Sequence, residues 1–168
     1  SNNYADPVAR ELAAFLRANA DLTTVLINRA AQLVQDLRKH PRDVVLCHGD
    51  IHGWNLLITA NNQLFIVDWD TLVLAPKERD LMFIGGGIGN SGHTPPEETA
   101  LFYRGYGKTD VDQNAIAYYR CERILEDIAI YCDQILLSDE GGMDREQSLL
   151  NLMSNYLPGS TIELAAQN

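Results

Sequence analysis

In the first forty residues, apolar positions recur every three to four places. Val8, Leu12, Phe15 and Leu16 form one stripe. Leu22, Val25, Leu26, Ala30, Leu33, Val34 and Leu37 form a second. This spacing predicts two amphipathic helices. Pro7 stands where a first-turn proline is tolerated, Asp21 is a candidate N-cap for the second helix, and Lys39-His40-Pro41 reads as its end.

The period then shortens. Val44-Val45-Leu46-Cys47 is β-prone, and residues 48–55 form a polar loop. Leu56-Leu57-Ile58-Thr59 and Leu64-Phe65-Ile66-Val67 are strand-like and are joined by Ala60-Asn61-Asn62-Gln63, which predicts a hairpin. Asp68-Trp69-Asp70 follows its return strand directly. Beyond Pro76 the helical period resumes, with a short segment around Arg79-Asp80-Leu81 and a glycine-rich loop from Gly85 to Gly92. A helix opens at Pro95-Pro96 and reaches about Tyr106. The longest one spans about Asp112 to Leu137, with an apolar face that includes Ala117, Cys121, Ile124, Leu125, Ile128, Cys132, Ile135 and Leu136. A last helix covers about Asp144 to Tyr156 and stops at Pro158-Gly159. The pattern predicts an α+β, mostly α, single domain over residues 1–168, with no internal repeat and no dividing linker.

Composition narrows the function classes. The net charge is −10, from 23 acidic and 13 basic residues. Nucleic-acid binding depends on Lys and Arg neutralising phosphates, and anionic membranes attract the same basic groups, so neither partner is expected. A cationic small molecule suits this surface. Cys47, Cys121 and Cys132 are odd in number and lack a CxxC spacing, which argues against a disulfide scaffold and for a reducing, cytoplasmic setting. No apolar run approaches the ~18 residues of a membrane span. Ser1 to Asp6 lacks the basic-then-apolar order of a signal peptide.

The chemistry concentrates in His48-Gly49-Asp50-Ile51-His52-Gly53-Trp54-Asn55. His48, Asp50 and Asn55 reproduce the His-x-Asp-x-x-x-x-Asn spacing of a kinase catalytic loop. Phosphoryl transfer needs a carboxylate that accepts the proton of the attacking hydroxyl, a role open to Asp50. It also needs a metal ligand on the same turn, and Asn55 offers a neutral amide oxygen where the next strand begins. A second carboxylate must reach the metal from another direction. Asp68 ends the return strand, and a hairpin brings its outer ends together, so Asp68 is expected near Asn55.

These runs, with Phe-Ile-Val-Asp-Trp-Asp at 65–70 and Pro-Lys-Glu-Arg-Asp-Leu at 76–81, resemble the aminoglycoside phosphotransferase and choline-kinase-like superfamily, of the spectinomycin phosphotransferase type. The resemblance implies a protein-kinase-like C-terminal lobe whose small β-hairpin carries the catalytic loop. It implies ATP and Mg2+ as cofactors and a hydroxyl of a small, amine-bearing molecule as acceptor, with antibiotic resistance as a biological role. Asp50 would be the catalytic base and Asn55 and Asp68 the magnesium ligands. His48 would brace the loop, Asp80 would support it from behind, and Asp70 would lie near metal or substrate. The family's N-terminal nucleotide-binding lobe has no counterpart before Val44, where the chain reads as helical with one lysine, Lys39. That lobe is expected in cis in a longer protein. A chain of this extent alone is expected to be inactive.

Other readings compete. Asp50 and His52 resemble the first motif of metal-dependent phosphoesterases, yet the downstream motifs are missing. Gly87-Ile88-Gly89-Asn90-Ser91-Gly92 fits a dinucleotide fingerprint, but no second strand completes a βαβ unit. A lone lobe could also be a binding module or an inactive remnant. Glu122, Glu126, Asp127 and Asp133 could face a cationic substrate. The expectation preferred here is a solvated helix face paired with Arg120 and Arg123. Trp54 and Trp69 are expected to pack the catalytic loop against the core.

Overall fold

The computed structural model describes residues 4–86, 92–138, 142–158 and 160–167. Helix α1 spans Pro7–Ala18, and Asp6 caps it by accepting a hydrogen bond from the Ala9 N–H at 2.9 Å. Helix α2 spans Ala20–Lys39 and starts one residue after Asn19. Asp21 is therefore not its N-cap. It sits in the first turn, where its carboxylate favours the positive end of the helix dipole.

Two short antiparallel ribbons follow. Strand β1 (Val45–Cys47) pairs with β4 (Val73–Ala75), with Leu46 opposite Leu74. Strand β2 (Leu56–Ile58) pairs with β3 (Leu64–Ile66), with Leu57 opposite Phe65. The β2–β3 hairpin matches the sequence expectation, and Asn62 takes the left-handed conformation (φ 58°) that its turn requires. Strand β4 was not anticipated. It makes the hairpin an inner ribbon, nested within an outer one.

Helix α3 (Glu78–Leu81) is short, α4 spans Pro95–Tyr106 and α5 spans Gln113–Leu136. Asp112 caps α5 through the N–H groups of Asn114 and Ala115. Helix α6 covers Gly142–Ser154, two residues earlier at each end than its sequence pattern suggested. A further helix, α7 (Thr161–Gln167), follows the Pro158-Gly159 stop. The dinucleotide-like Gly87–Gly92 stretch falls largely on residues 87–91, outside the described residues.

Helix α5, about 36 Å long at 1.5 Å per residue, organises two cores. Along most of its length Ile124 and Ile135 are buried against Leu12 of α1, Leu26 of α2, Leu152 of α6 and Ile162 of α7. Near its start Ala115, Ile116 and Tyr119 pack on Leu81, Met82 and Phe83. Arg120 joins the two ends of that second core. It is buried, and it donates from Nε to the Met82 carbonyl at 2.9 Å and from Nη2 to the Ile84 carbonyl at 2.8 Å. Cys121 is part of the main core as expected, and Cys132 packs at its edge, partly buried.

Candidate active site

Nesting the ribbons creates the site. The outer and inner ribbons are joined by two segments, residues 48–55 and 67–72, which must run side by side. Cross-links hold them together. The Thr71 hydroxyl donates to the His48 carbonyl at 2.8 Å, and the Val67 N–H donates to the Asn55 carbonyl at 3.0 Å. The approach is closest at Gly49. Its φ is +84°, and a Cβ there would lie 2.4 Å from the Thr71 carbonyl oxygen, so only glycine fits.

Each sequence-predicted residue has a place in this junction. His48 is buried, with Nε2 3.0 Å from the Val67 carbonyl. That carbonyl only accepts, so Nε2 carries the proton, and Nδ1 accepts from the Asp50 N–H at 3.3 Å. Asp80 accepts from two successive backbone groups, the His48 and Gly49 N–H, both at 2.8 Å. It thus anchors the loop from α3. Asn55 is buried and donates its amide to the Asp50 carbonyl at 2.8 Å. Asp68 follows β3 and brings an exposed carboxylate to the segment tied to Asn55. Its backbone is left-handed (φ 65°, ψ 62°), an uncommon state for a residue other than glycine. Asp70 is exposed in the 3-10 turn Trp69–Thr71 and enters none of the hydrogen bonds that knit the loop.

The Asp50 side chain is only 15% exposed. One oxygen, Oδ1, lies 2.6 Å from Nη1 of Arg123, and the other, Oδ2, lies 3.5 Å from Nε2 of His52. Arg123 in turn places Nε 3.1 Å from Oδ1 of Asp127. Burial opposes the charge on Arg123, but the Asp127 and Asp50 carboxylates outweigh it and push its pKa up. Burial pushes the Asp127 carboxyl up, with Arg123 pulling back. Beside this triad Arg79 reaches Glu122 and Glu126, both at 3.9 Å. Burial, with Glu122 nearby, raises the Glu126 pKa.

Two expectations change here. The acidic face of α5 is not paired with Arg120, which points into the second core; Glu122 and Glu126 meet Arg79 of α3 instead. Only the Arg123–Asp127 pair follows the helical spacing. Trp54 does not pack on the core. It is 74% exposed and meets the His52 ring edge to face, with ring centroids 5.6 Å apart. Trp69 does brace the loop, 4.7 Å from the His48 ring, while donating to the Ile66 carbonyl. Arg123 and Thr71 were not singled out for the site from sequence. Arg123 lies 73 positions from Asp50, and no local spacing signals such a contact.

Oxygen donors from Asn55 and Asp68 suit a hard cation such as Mg2+. The Asn55 nitrogen is engaged by the Asp50 carbonyl, which leaves the amide oxygen as the end available to a metal. Among the described residues no group of three or more His, Cys, Asp or Glu side chains could hold a metal. A dinuclear phosphoesterase centre on Asp50 and His52 therefore finds no further ligands there.

Residues 2–120 match the phosphotransferase enzyme family, APH. The chain is also similar to solved structures of the spectinomycin phosphotransferase APH(9)-Ia. In its complex with ADP and spectinomycin the identity is 37% and the TM-score 0.89, over 99% of this chain and 50% of that one. In its AMP-bound complex the identity is 36% and the TM-score 0.88, over 100% and 51%. The chain thus spans about half the length of these relatives.

Proposed function

The chain belongs to the phosphotransferase enzyme family, and from that premise we propose that it forms the catalytic lobe of an ATP- and Mg2+-dependent kinase for a hydroxyl of a small, amine-bearing molecule of aminocyclitol type. The observation that carries this reading is the junction of the ribbons. One set of hydrogen bonds there draws a buried carboxylate, a buried amide and a second carboxylate into adjoining turns. Similarity along 99% of the chain to an enzyme bound to ADP and spectinomycin supports the choice of reaction and acceptor class.

In this reading Asp50 orients the acceptor hydroxyl and takes its proton as the oxygen bonds to the γ-phosphorus and ADP departs. Asn55 and Asp68 would hold Mg2+, which supplies neutralising charge at the phosphates. His48, Thr71 and Asp80 keep the loop backbone fixed, so the carboxylate and the amide hold their spacing. Asp70 receives no defined task. The acidic surface, net −10, suits a cationic acceptor. Among the described residues no helix is long and apolar enough to cross a membrane, and three free cysteines suit a reducing cytoplasm.

A second lobe in cis belongs to the proposal, because the solved relatives are twice as long as the segment they share with this chain. The exposed apolar side chains of the ribbons, Leu46, Leu74, Leu57 and Phe65, are what a surface covered by another lobe would present. The test is Asp50→Asn in the complete enzyme, with Mg-ATP and spectinomycin. Transfer is expected to fall roughly 10²–10⁴-fold with the circular dichroism spectrum unchanged. Undiminished turnover would overturn the assignment.

A further inference from the structure

We propose that Arg123 is a positioning residue for the base: braced by Asp127, it holds one oxygen of Asp50 and thereby selects which oxygen meets the acceptor hydroxyl. The inference rests on the reading of Asp50 as the base. It adds a residue from a distant helix that the motif spacing does not contain.

The two oxygens of Asp50 are not equivalent. Oδ1 lies 2.6 Å from Nη1 of Arg123, the short distance of a charge-assisted hydrogen bond. Oδ2 has His52 Nε2 at 3.5 Å, beyond the usual hydrogen-bond range. Oδ1 is therefore committed to the guanidinium, and Oδ2 keeps lone pairs for an incoming hydroxyl.

Arg123 is itself fixed. Its Nε lies 3.1 Å from Asp127, one helical turn further along α5. The three side chains are 22%, 15% and 27% exposed for Arg123, Asp50 and Asp127. A buried ion pair is a poor source of stability, because desolvation offsets much of the attraction. What it does supply is orientation, since a planar guanidinium hydrogen-bonded through Nη1 to Asp50 and ion-paired beside Nε with Asp127, there without hydrogen-bond geometry, has little freedom to turn. Helix α5 is anchored in both cores, so the grip on Asp50 is referred to the element that packs in each of them. Phosphoryl transfer needs such a reference, because a misplacement of about 1 Å costs on the order of 10²-fold in rate.

The experiment uses Arg123→Met, Arg123→Lys and Asp127→Asn in the complete enzyme. Kinetics with Mg-ATP and spectinomycin are paired with a crystal structure of each variant. The expected result for Arg123→Met is a kcat lower by about 10²-fold, with KM for both substrates within about threefold, and an Asp50 carboxylate turned from its wild-type orientation. Arg123→Lys should recover part of kcat, and Asp127→Asn should fall between wild type and Arg123→Met. The lysine variant keeps the comparison available if Arg123→Met does not fold. An Asp50 carboxylate that keeps its place without Arg123 overturns the proposal. So does a rise in KM at unchanged kcat, which would make Arg123 a substrate contact. If the wild-type enzyme transfers no phosphoryl group, the kinase reading fails, while the orientation of Asp50 in the variants still decides the role of Arg123.

Discussion

The helical body and the nested ribbons treat apolar residues in opposite ways. In the body, Leu12, Leu26, Ile124, Ile135, Leu152 and Ile162 are almost completely buried. In the ribbons, Leu46 is 67% exposed, Ile58 73% and Leu74 71%. The body holds its shape by burial. The ribbons are three residues long per strand, too short to hold themselves. They are held by polar ties to the rest, chief among them Asp80 on the catalytic loop. The difference teaches that the candidate site is the least self-sufficient part of the chain. It is tied to the helices at two points, to α3 through Asp80 and to α5 through Arg123.

This contrast can be broken at several strengths. Truncating Ile124 to Ala is expected to cost about 2–5 kcal/mol in chemical denaturation, the range for a filled core position. A loss under 1 kcal/mol would show that α5 is not the centre of the body. Asp80→Ala leaves two N–H groups without an acceptor, at about 1–3 kcal/mol each, and water reaching the half-buried position 80 should offset part of this, so the cost is comparable or smaller. The substitution should also abolish any transfer activity. Stability lost with activity retained would separate the loop from its anchor.

Asp112 gives a smaller effect, tied to pH. Burial alone would raise its pKa, but Arg42 and the N–H groups of Ala115 and Asn114 hold the carboxyl below its usual range. A depressed folded-state pKa contributes stability that is present above the unfolded value of about 3.9 and lost as pH falls through the folded one. Asp112→Asn should therefore be less stable than wild type at neutral pH, and the gap should close below about pH 4. A gap that does not narrow at all as pH falls below about 4 would assign the effect to shape instead of charge. The smallest effect belongs to the ribbons: in the chain of residues 1–168 taken alone, Ile58→Ser should change stability by less than about 0.5 kcal/mol. A large loss would mean that the inner ribbon is covered in solution.

The sequence disclosed the site better than the frame around it. The candidate residues His48, Asp50 and Asn55 stand within eight positions, so the hydrogen bonds that join them are local and legible. The β2–β3 hairpin is legible for the same reason. Strand β4 was missed although Leu72-Val73-Leu74-Ala75 is β-prone, because its partner β1 lies almost thirty residues earlier and no turn connects them. Arg123 was read as part of a charged helix face. Nothing in its neighbourhood distinguishes an arginine that meets a solvated glutamate from one that meets Asp50. Trp54 was expected to pack the loop against the core, and the loop instead turns it outward. Misreadings of this kind arise where contacts are long-range, and the correct readings where they are local.

The missing side chain at Gly49 bears on how such a gene can drift. Codons for exposed turn residues such as Asn61 tolerate exchange among many residues. The codon for position 49 tolerates none that adds a carbon, because that carbon would meet the Thr71 carbonyl at 2.4 Å. A gene copy released from selection would change there as readily as anywhere else. In a copy whose product still works, position 49 stays glycine whatever happens to the exposed turns around it.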